Sequence, residues 1–378
     1  MRARELGLDL KGEPGPHNDV TDVWGVEVGY TTLISGSGRH VVGEGPVRTG
    51  VTAIHPRGAQ GAPKAVFAAV HSLNGNGELT GGHWIAEHGH FRGPIVLTNS
   101  NAVGVARDTA VDWLTRRFPG AAFGWMPVVG ETWDGWLSDI DGHHVRPEHV
   151  RAALESATRG PIEQGSVGGG TGMITYEFKS GNGSSSRVVD MSEGRYVIGV
   201  FLQANFGARD LLMVNGIPVG ESLSQDRMFS ADHGSCIGVV LTDAPLLPTQ
   251  LGRLARRVAL GLARTGFVSG AESGDIFLAA SVANDGNVDT PGRTSVECLA
   301  DDEMDPLLRA TAFASEEAVL DSLLAAVPMT GIDDRTAPAL EPRELLGVLA
   351  AEHRERARRM DRTWRMHMTG VQDSASSS

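Results

Sequence analysis

The chain has 378 residues, 41% of them hydrophobic, and a formal net charge of −13, a size that suits one large core or two ordinary domains of a soluble globular protein. The acidic balance argues against a nucleic-acid surface, which needs clustered lysine and arginine. No apolar run reaches the ~20 residues that span a bilayer, and the start, Met1-Arg2-Ala3-Arg4-Glu5-Leu6-Gly7, lacks the apolar core of a signal peptide.

Residues 23–34, 47–56 and 65–73 read as strands, with Val, Ile, Thr and aromatic residues between glycines and prolines. Residues 103–118 have helical spacing, placing Val105, Ala106, Ala110, Trp113 and Leu114 on one side. Residues 171–179 and 186–191 flank Ser180-Gly181-Asn182-Gly183-Ser184, whose composition predicts a hairpin tip. Another strand is expected over 196–203. From Ser235 the order becomes strand, helix, strand. The helix runs from Pro248 to about residue 265 and repeats Leu251, Leu254, Ala255, Val258 and Leu262. A buried strand follows over 276–282, then helices near 315–327 and 341–360. Arg354, Arg356, Arg358, Arg359, Arg362 and Arg365 alternate with Glu352, Glu355 and Asp361, which reads as a solvated helix face. Residues 370–378 are expected to be a disordered tail. No internal repeat is visible, and the mixture suits sheets carrying helices on their outer faces.

The most informative stretch is His233-Gly234-Ser235-Cys236-Ile237-Gly238-Val239-Val240-Leu241. Glycine has no Cβ, so its carbonyl is open to attack from the side, and serine supplies the attacking hydroxyl. Cleavage of the Gly234–Ser235 bond would give Ser235 a free α-amino group beside its own Oγ. Such an amine has a reference pKa of roughly 7.7–8, close to what a general base at neutral pH needs. A turn leading into a buried strand would use the same dipeptide, so the residues alone leave both readings open. Cys236 fits such a strand as a small buried thiol. With Cys298 as the only other cysteine, no disulfide framework is possible, and a reducing, cytoplasmic setting is expected.

Acyl transfer also needs a donor for the developing oxyanion and a group that orients the base. Asn205, at the strand end Gln203-Ala204-Asn205-Phe206-Gly207, could donate its carboxamide or simply begin a turn. Ser273 and Asp275, ahead of a buried strand, could both reach the amine of Ser235 or form an ordinary Asx or ST turn. Glu131 could pair with the free amino group of a substrate, or be a surface carboxylate. The run Gly168-Gly169-Gly170-Thr171-Gly172 lacks the Gly-Lys-Ser/Thr ending of a P-loop and precedes a strand, so close backbone packing is the better reading. His83, His88 and His90, with the pair His143 and His144, have no metal-ligand spacing, and no metal is expected.

Further blocks accompany the junction. They are Asn18-Asp19-Val20-Thr21-Asp22-Val23, Gly93-Pro94-Ile95-Val96-Leu97-Thr98-Asn99, Val103-Gly104-Val105-Ala106-Arg107-Asp108, Val128-Val129-Gly130-Glu131-Thr132-Trp133-Asp134-Gly135, Val167-Gly168-Gly169-Gly170-Thr171-Gly172-Met173, Thr242-Asp243-Ala244-Pro245 and Ser273-Gly274-Asp275. In this order, over roughly residues 15 to 300, they resemble the β-aminopeptidase / L-aminopeptidase–D-amidase/esterase family of self-processing serine peptidases.

The resemblance implies a four-layer α-β-β-α sandwich like that of N-terminal-nucleophile hydrolases, with Ser235 heading a central strand. It implies a single domain, 1–378, cut between Gly234 and Ser235 into pieces 1–234 and 235–378 that share one sandwich. It gives Ser235 the nucleophile's role, Asn205 that of oxyanion donor, Ser273 and Asp275 that of orienting the amine, and Glu131 that of reading the substrate's amino group. Trp133 stands where relatives carry tyrosine, and an indole donates a hydrogen bond but neither accepts one nor titrates usefully. Ser166 stands where relatives carry asparagine. The substrate would be a small peptide, amide or ester with a free amino group, no cofactor is implied, and relatives form homo-oligomers of processed pairs. Acyl transferases of the ornithine acetyltransferase type and oligoamide amidases share the fold but use threonine at the nucleophile, and an unprocessed, inert binding protein is the rival from another class.

Overall fold

The computed structural model describes residues 1–120, 125–223, 227–228, 234–285 and 291–375; His233 of the junction motif lies outside them. The strands are β1 (Glu27–Ser35), β2 (Val47–His55), β3 (Val66–Gly75), β4 (His90–Phe91), β5 (Ile95–Asn99), β6 (Val128–Thr132), β7 (Ile174–Thr175), β8 (Phe178–Lys179), β9 (Asn182–Met191), β10 (Gly194–Asn205), β11 (Ser235–Thr242), β12 (Gly274–Ser281), β13 (Met329–Thr330) and β14 (Thr336–Ala337). The helices are α1 (Gly82–His88), α2 (Val103–Arg117), α3 (Pro147–Glu155), α4 (Val219–Ser222), α5 (Pro248–Ala263), α6 (Asp305–Leu324) and α7 (Pro342–Ala375).

Two sheets carry the architecture: a four-stranded one in the order β1-β2-β5-β6 and a six-stranded one in the order β4-β3-β12-β11-β10-β9. Between them lies an apolar layer in which Ile54, Ile95, Leu97 and Val128 of the smaller sheet meet Phe201, Ile237, Val239 and Leu278 of the larger. α2 and α3 cover the outer face of the smaller sheet through Ala106, Ala110, Trp113, Val150 and Leu154. α5 and α6 cover the larger one through Leu251, Leu254, Val258, Leu262, Ala314 and Ala318. The layering is the expected α-β-β-α sandwich. Gln203 ties the sheets with a polar bridge, its Nε2 donating to the Thr98 carbonyl at 2.9 Å and to Thr132 Oγ1 at 2.7 Å. A Cβ on Gly169 would sit 2.0 Å from Gln203 Oε1, so the glycine run serves close packing, as its sequence suggests.

Strand alternation decides which way the chemistry faces. In β11, Ile237, Val239 and Leu241 point into the layer between the sheets, whereas Cys236 and Val240 face the helices. Ser235 continues the first series, so its side chain opens toward the gap between the sheets. Asn205 is paired directly opposite Ser235 in the antiparallel β10–β11 ladder. Directly opposed residues share a face, and both stand at the end of the sheet where the two strands meet.

Three expectations are corrected. Residues 180–184 are not a hairpin tip: β9 begins at Asn182, and Ser184 is paired with Phe201 inside the larger sheet. The glycines serve close approach, since a Cβ on Gly183 would lie 1.8 Å from the Ala318 carbonyl oxygen of α6. The tight turn is instead Tyr176-Glu177 between β7 and β8, both residues at positive φ (52° and 59°). α6 starts at Asp305 rather than near 315, with Pro306 in its first turn, where a proline's missing N–H costs the helix nothing. α7 continues to Ala375, past the expected end at 360; of the segment expected to be a tail, residues 376–378 lie outside the described residues. Arg354, Arg356, Arg358 and Arg359 on it are exposed, as a solvated face requires.

Candidate active site

A cavity of about 500 Å³ opens at the end of β10 and β11, where Ser235, Gly234 and Asn205 meet Glu131 and Trp133 from the smaller sheet. Gly75, Asn76, Gly77, Glu78, Ser100 and Glu272 complete its wall. Ser235 is buried, and its Oγ has no hydrogen-bond partner among the described residues. Gly234 is held by proximity, since a Cβ there would lie 2.4 Å from the Asn205 carbonyl oxygen and 2.6 Å from Phe206 Cα. Only glycine fits against that backbone.

Asn205 is fixed at both ends of its carboxamide. Its Oδ1 accepts from the Ile174 N–H at 2.9 Å, and its Nδ2 donates to the Trp133 carbonyl at 3.0 Å. A carboxamide nitrogen carries two hydrogens, so one is left for the cavity that Asn205 lines. Trp133 contributes its carbonyl to this arrangement, while its half-exposed ring lies along the cavity wall over Gly135.

Glu131, on β6, is buried and accepts from the Ser100 hydroxyl and from the Glu78 N–H at 3.1 Å. Burial raises its pKa above the ordinary glutamate value, and the two hydrogen bonds oppose that rise without cancelling it. Behind it Asp134 is fully buried, accepts from Asn99 Nδ2 at 3.2 Å, and is pushed up to about 7, chiefly by burial. Among the described residues no lysine or arginine lines the cavity, whereas Glu78, Glu131 and Glu272 do.

Ser273 and Asp275 are not part of the cavity wall. They flank Gly274, which is paired with Ser235 in the parallel β11–β12 ladder. Ser273 is buried, with an Oγ that finds no partner among the described residues. Asp275 lies opposite Cys236, on the helix-facing side of the sheet, and its Oδ2 accepts from Ser269 Oγ at 2.5 Å. The pair is thus brought to the backbone of Ser235 rather than to its hydroxyl. Ser100, Glu78 and Glu272 were not anticipated; Glu78 and Glu272 sit among small residues and glycines, and Ser100 opens a short turn directly after β5, where small polar residues are the only sequence signal. Among the described residues no group of His, Cys, Asp and Glu could hold a metal, and Cys236 and Cys298 are free thiols.

A serine at the head of a central strand, inside a four-layer sandwich, is the arrangement of the N-terminal-nucleophile hydrolase fold. The chain belongs to Peptidase family S58, which matches residues 18–337. It is 45% identical over 366 residues to a β-peptidyl aminopeptidase BapA of Sphingosinicella microcystinivorans, covering 92% of this chain and 91% of that one. Among solved structures it is similar to the L-aminopeptidase D-Ala-esterase/amidase of Ochrobactrum anthropi, described as a prototype serine aminopeptidase with a variant Ntn-hydrolase fold (42% identity, TM-score 0.88, covering 93% of this chain and 99% of that one). It is equally similar to a β-aminopeptidase of Burkholderia sp. (43% identity, TM-score 0.86, the same coverage). The protein is a serine aminopeptidase of the Ntn type, and that fold implies self-processing.

Proposed function

We propose that the chain cuts itself between Gly234 and Ser235, and that the freed Ser235 then releases the N-terminal residue of small peptides, amides or esters through an acyl-enzyme. The observation that carries this reading is the register of Asn205 against Ser235, at the mouth of a cavity that also holds the buried Glu131. In maturation Ser235 Oγ attacks the Gly234 carbonyl carbon. The resulting ester is hydrolysed, leaving residues 1–234 and 235–378 in one sandwich. In turnover the new α-amine takes the Oγ proton, Oγ attacks the substrate carbonyl, and the Asn205 N–H steadies the oxyanion. The amine then returns its proton to the leaving amine, and water frees the enzyme by the same steps. Ser273 and Asp275 hold the amine from the Gly274 side, and Glu131 pairs with the substrate ammonium.

The relatives' names favour substrates headed by a β-amino acid, and we propose these first, with α-residues as the second class. The processed pairs are proposed to assemble as homo-oligomers in the cytoplasm. A panel of α-L, α-D and β-aminoacyl p-nitroanilides, each free and N-acetylated, tests the reading. Turnover is expected only of free amines, because a buried carboxylate facing an uncharged amide gains no ion pair. Equal turnover of acetylated and free substrates would leave an amidase or acyl transferase as the better description.

A further inference from the structure

Lys179 is fully buried, yet among the described residues no carboxylate lies within ion-pair distance of its ammonium. Its Nζ donates instead to two backbone carbonyls, Met173 at 2.8 Å and Ser180 at 2.6 Å. Burial pushes its pKa well below that of an ordinary lysine, so the position works against the charge it carries. A residue placed there for packing alone would not need a nitrogen.

The peptide that Lys179 grips is the one that holds Asn205. The Met173 carbonyl accepts from Lys179 Nζ and from the Ser180 N–H at 3.1 Å. The N–H on the other side of that peptide unit, Ile174, donates to Asn205 Oδ1. Donors on the carbonyl draw electron density from the peptide and sharpen its N–H as a donor. That N–H in turn polarises the carboxamide, whose Nδ2–H faces the cavity. The β7–β8 turn that carries Lys179 is pinned by Arg209, which donates to the Tyr176 carbonyl at 2.9 Å and to the Glu177 carbonyl at 2.6 Å. Tyr176 N–H donates to the Phe206 carbonyl at 2.7 Å, fastening the turn to the residue after Asn205.

We propose that Lys179 is a positioning residue for the oxyanion donor, acting through the Met173–Ile174 peptide to orient and polarise the Asn205 carboxamide. This rests on Asn205 being that donor. Its influence belongs to the transition state, where the oxyanion carries charge, and not to the bound substrate.

The test compares wild type with Lys179→Met, Lys179→Gln and Asn205→Ala, using steady-state kinetics and the affinity of an aminoalkyl boronic acid against that of the free amino-acid product. Lys179→Met should lower kcat and boronate affinity together by about tenfold, with KM and product affinity within about twofold. Lys179→Gln, which keeps a donor without the charge, should fall between and serves if the methionine variant does not fold. Unchanged kcat and boronate affinity in a folded Lys179 variant would overturn the proposal, as would an equal loss in boronate and product affinity, which marks general damage to the site. If Asn205→Ala itself keeps full kcat and boronate affinity, the donor assignment fails instead, and the two failures are thereby told apart.

Discussion

The Asn205 carboxamide is held by two contacts, Ile174 N–H on Oδ1 and the Trp133 carbonyl on Nδ2, while its backbone is fixed by pairing with Ser235. A donor fixed before the reaction begins costs no reorganisation when charge develops, and removing one typically costs about 2.7–4 kcal/mol in the barrier. Asn205→Ala should therefore lower kcat by about 10²–10³ with little change in KM, read by steady-state kinetics. A fully active variant would place the oxyanion on other donors. Glu131 makes a pH prediction. Its pKa is raised by burial, so it takes up its proton at a higher pH than an ordinary glutamate. Once protonated it cannot pair with an ammonium, so KM for free-amine substrates should rise as pH falls through that raised value. Glu131→Gln should show the high KM at every pH, losing the pH dependence of KM, while the acidic fall in kcat set by protonation of the Ser235 amine remains. A KM that still rises at low pH in Glu131→Gln would assign that rise to another group.

At the scale of elements, the apolar stripe of α5 was legible because it obeys one period with one buried face. β5 and β6 were not, since every residue of both is buried and no alternation marks them. The misread segment 180–184 shows the ambiguity of glycine. The same residue that permits a turn also permits a helix to touch a strand, and local composition does not distinguish them. Within the site, Ser235, Asn205 and Glu131 were found through the sequence pattern, but Lys179, Ser100 and Glu78 were not. Their partners are distant in sequence or are backbone groups, which leave no mark on side-chain spacing. Gly183 tests the packing account. Gly183→Ala would drive a methyl into the Ala318 carbonyl, and overpacking of this kind costs about 1–3 kcal/mol or more. Thermal denaturation should show a clear fall in Tm, and an unchanged Tm would mean that α6 stands farther from β9 than described.

Across the whole molecule, the Gly234–Ser235 bond divides the sequence but not the core. β10 lies before it and β11 after it, and they are neighbours in one sheet. Ion pairs cross the same divide: the buried pair Arg187 with Glu317 at 2.6 Å, and half-buried Arg2 with buried Asp321 at 2.7 Å. Burial raises Asp321 to about 6 despite Arg2, so this pair is complete only above that pH. Two fragments joined by a shared sheet and such pairs should remain together through native purification and separate only on denaturation. Intact-mass spectrometry of the purified protein under denaturing conditions tests the central claim most directly. The account predicts two species, residues 1–234 and 235–378, the smaller beginning Ser-Cys-Ile-Gly-Val, with Ser235→Ala remaining one inactive chain. An active enzyme that stays a single chain, or a smaller fragment that begins at any residue other than Ser235, would contradict it.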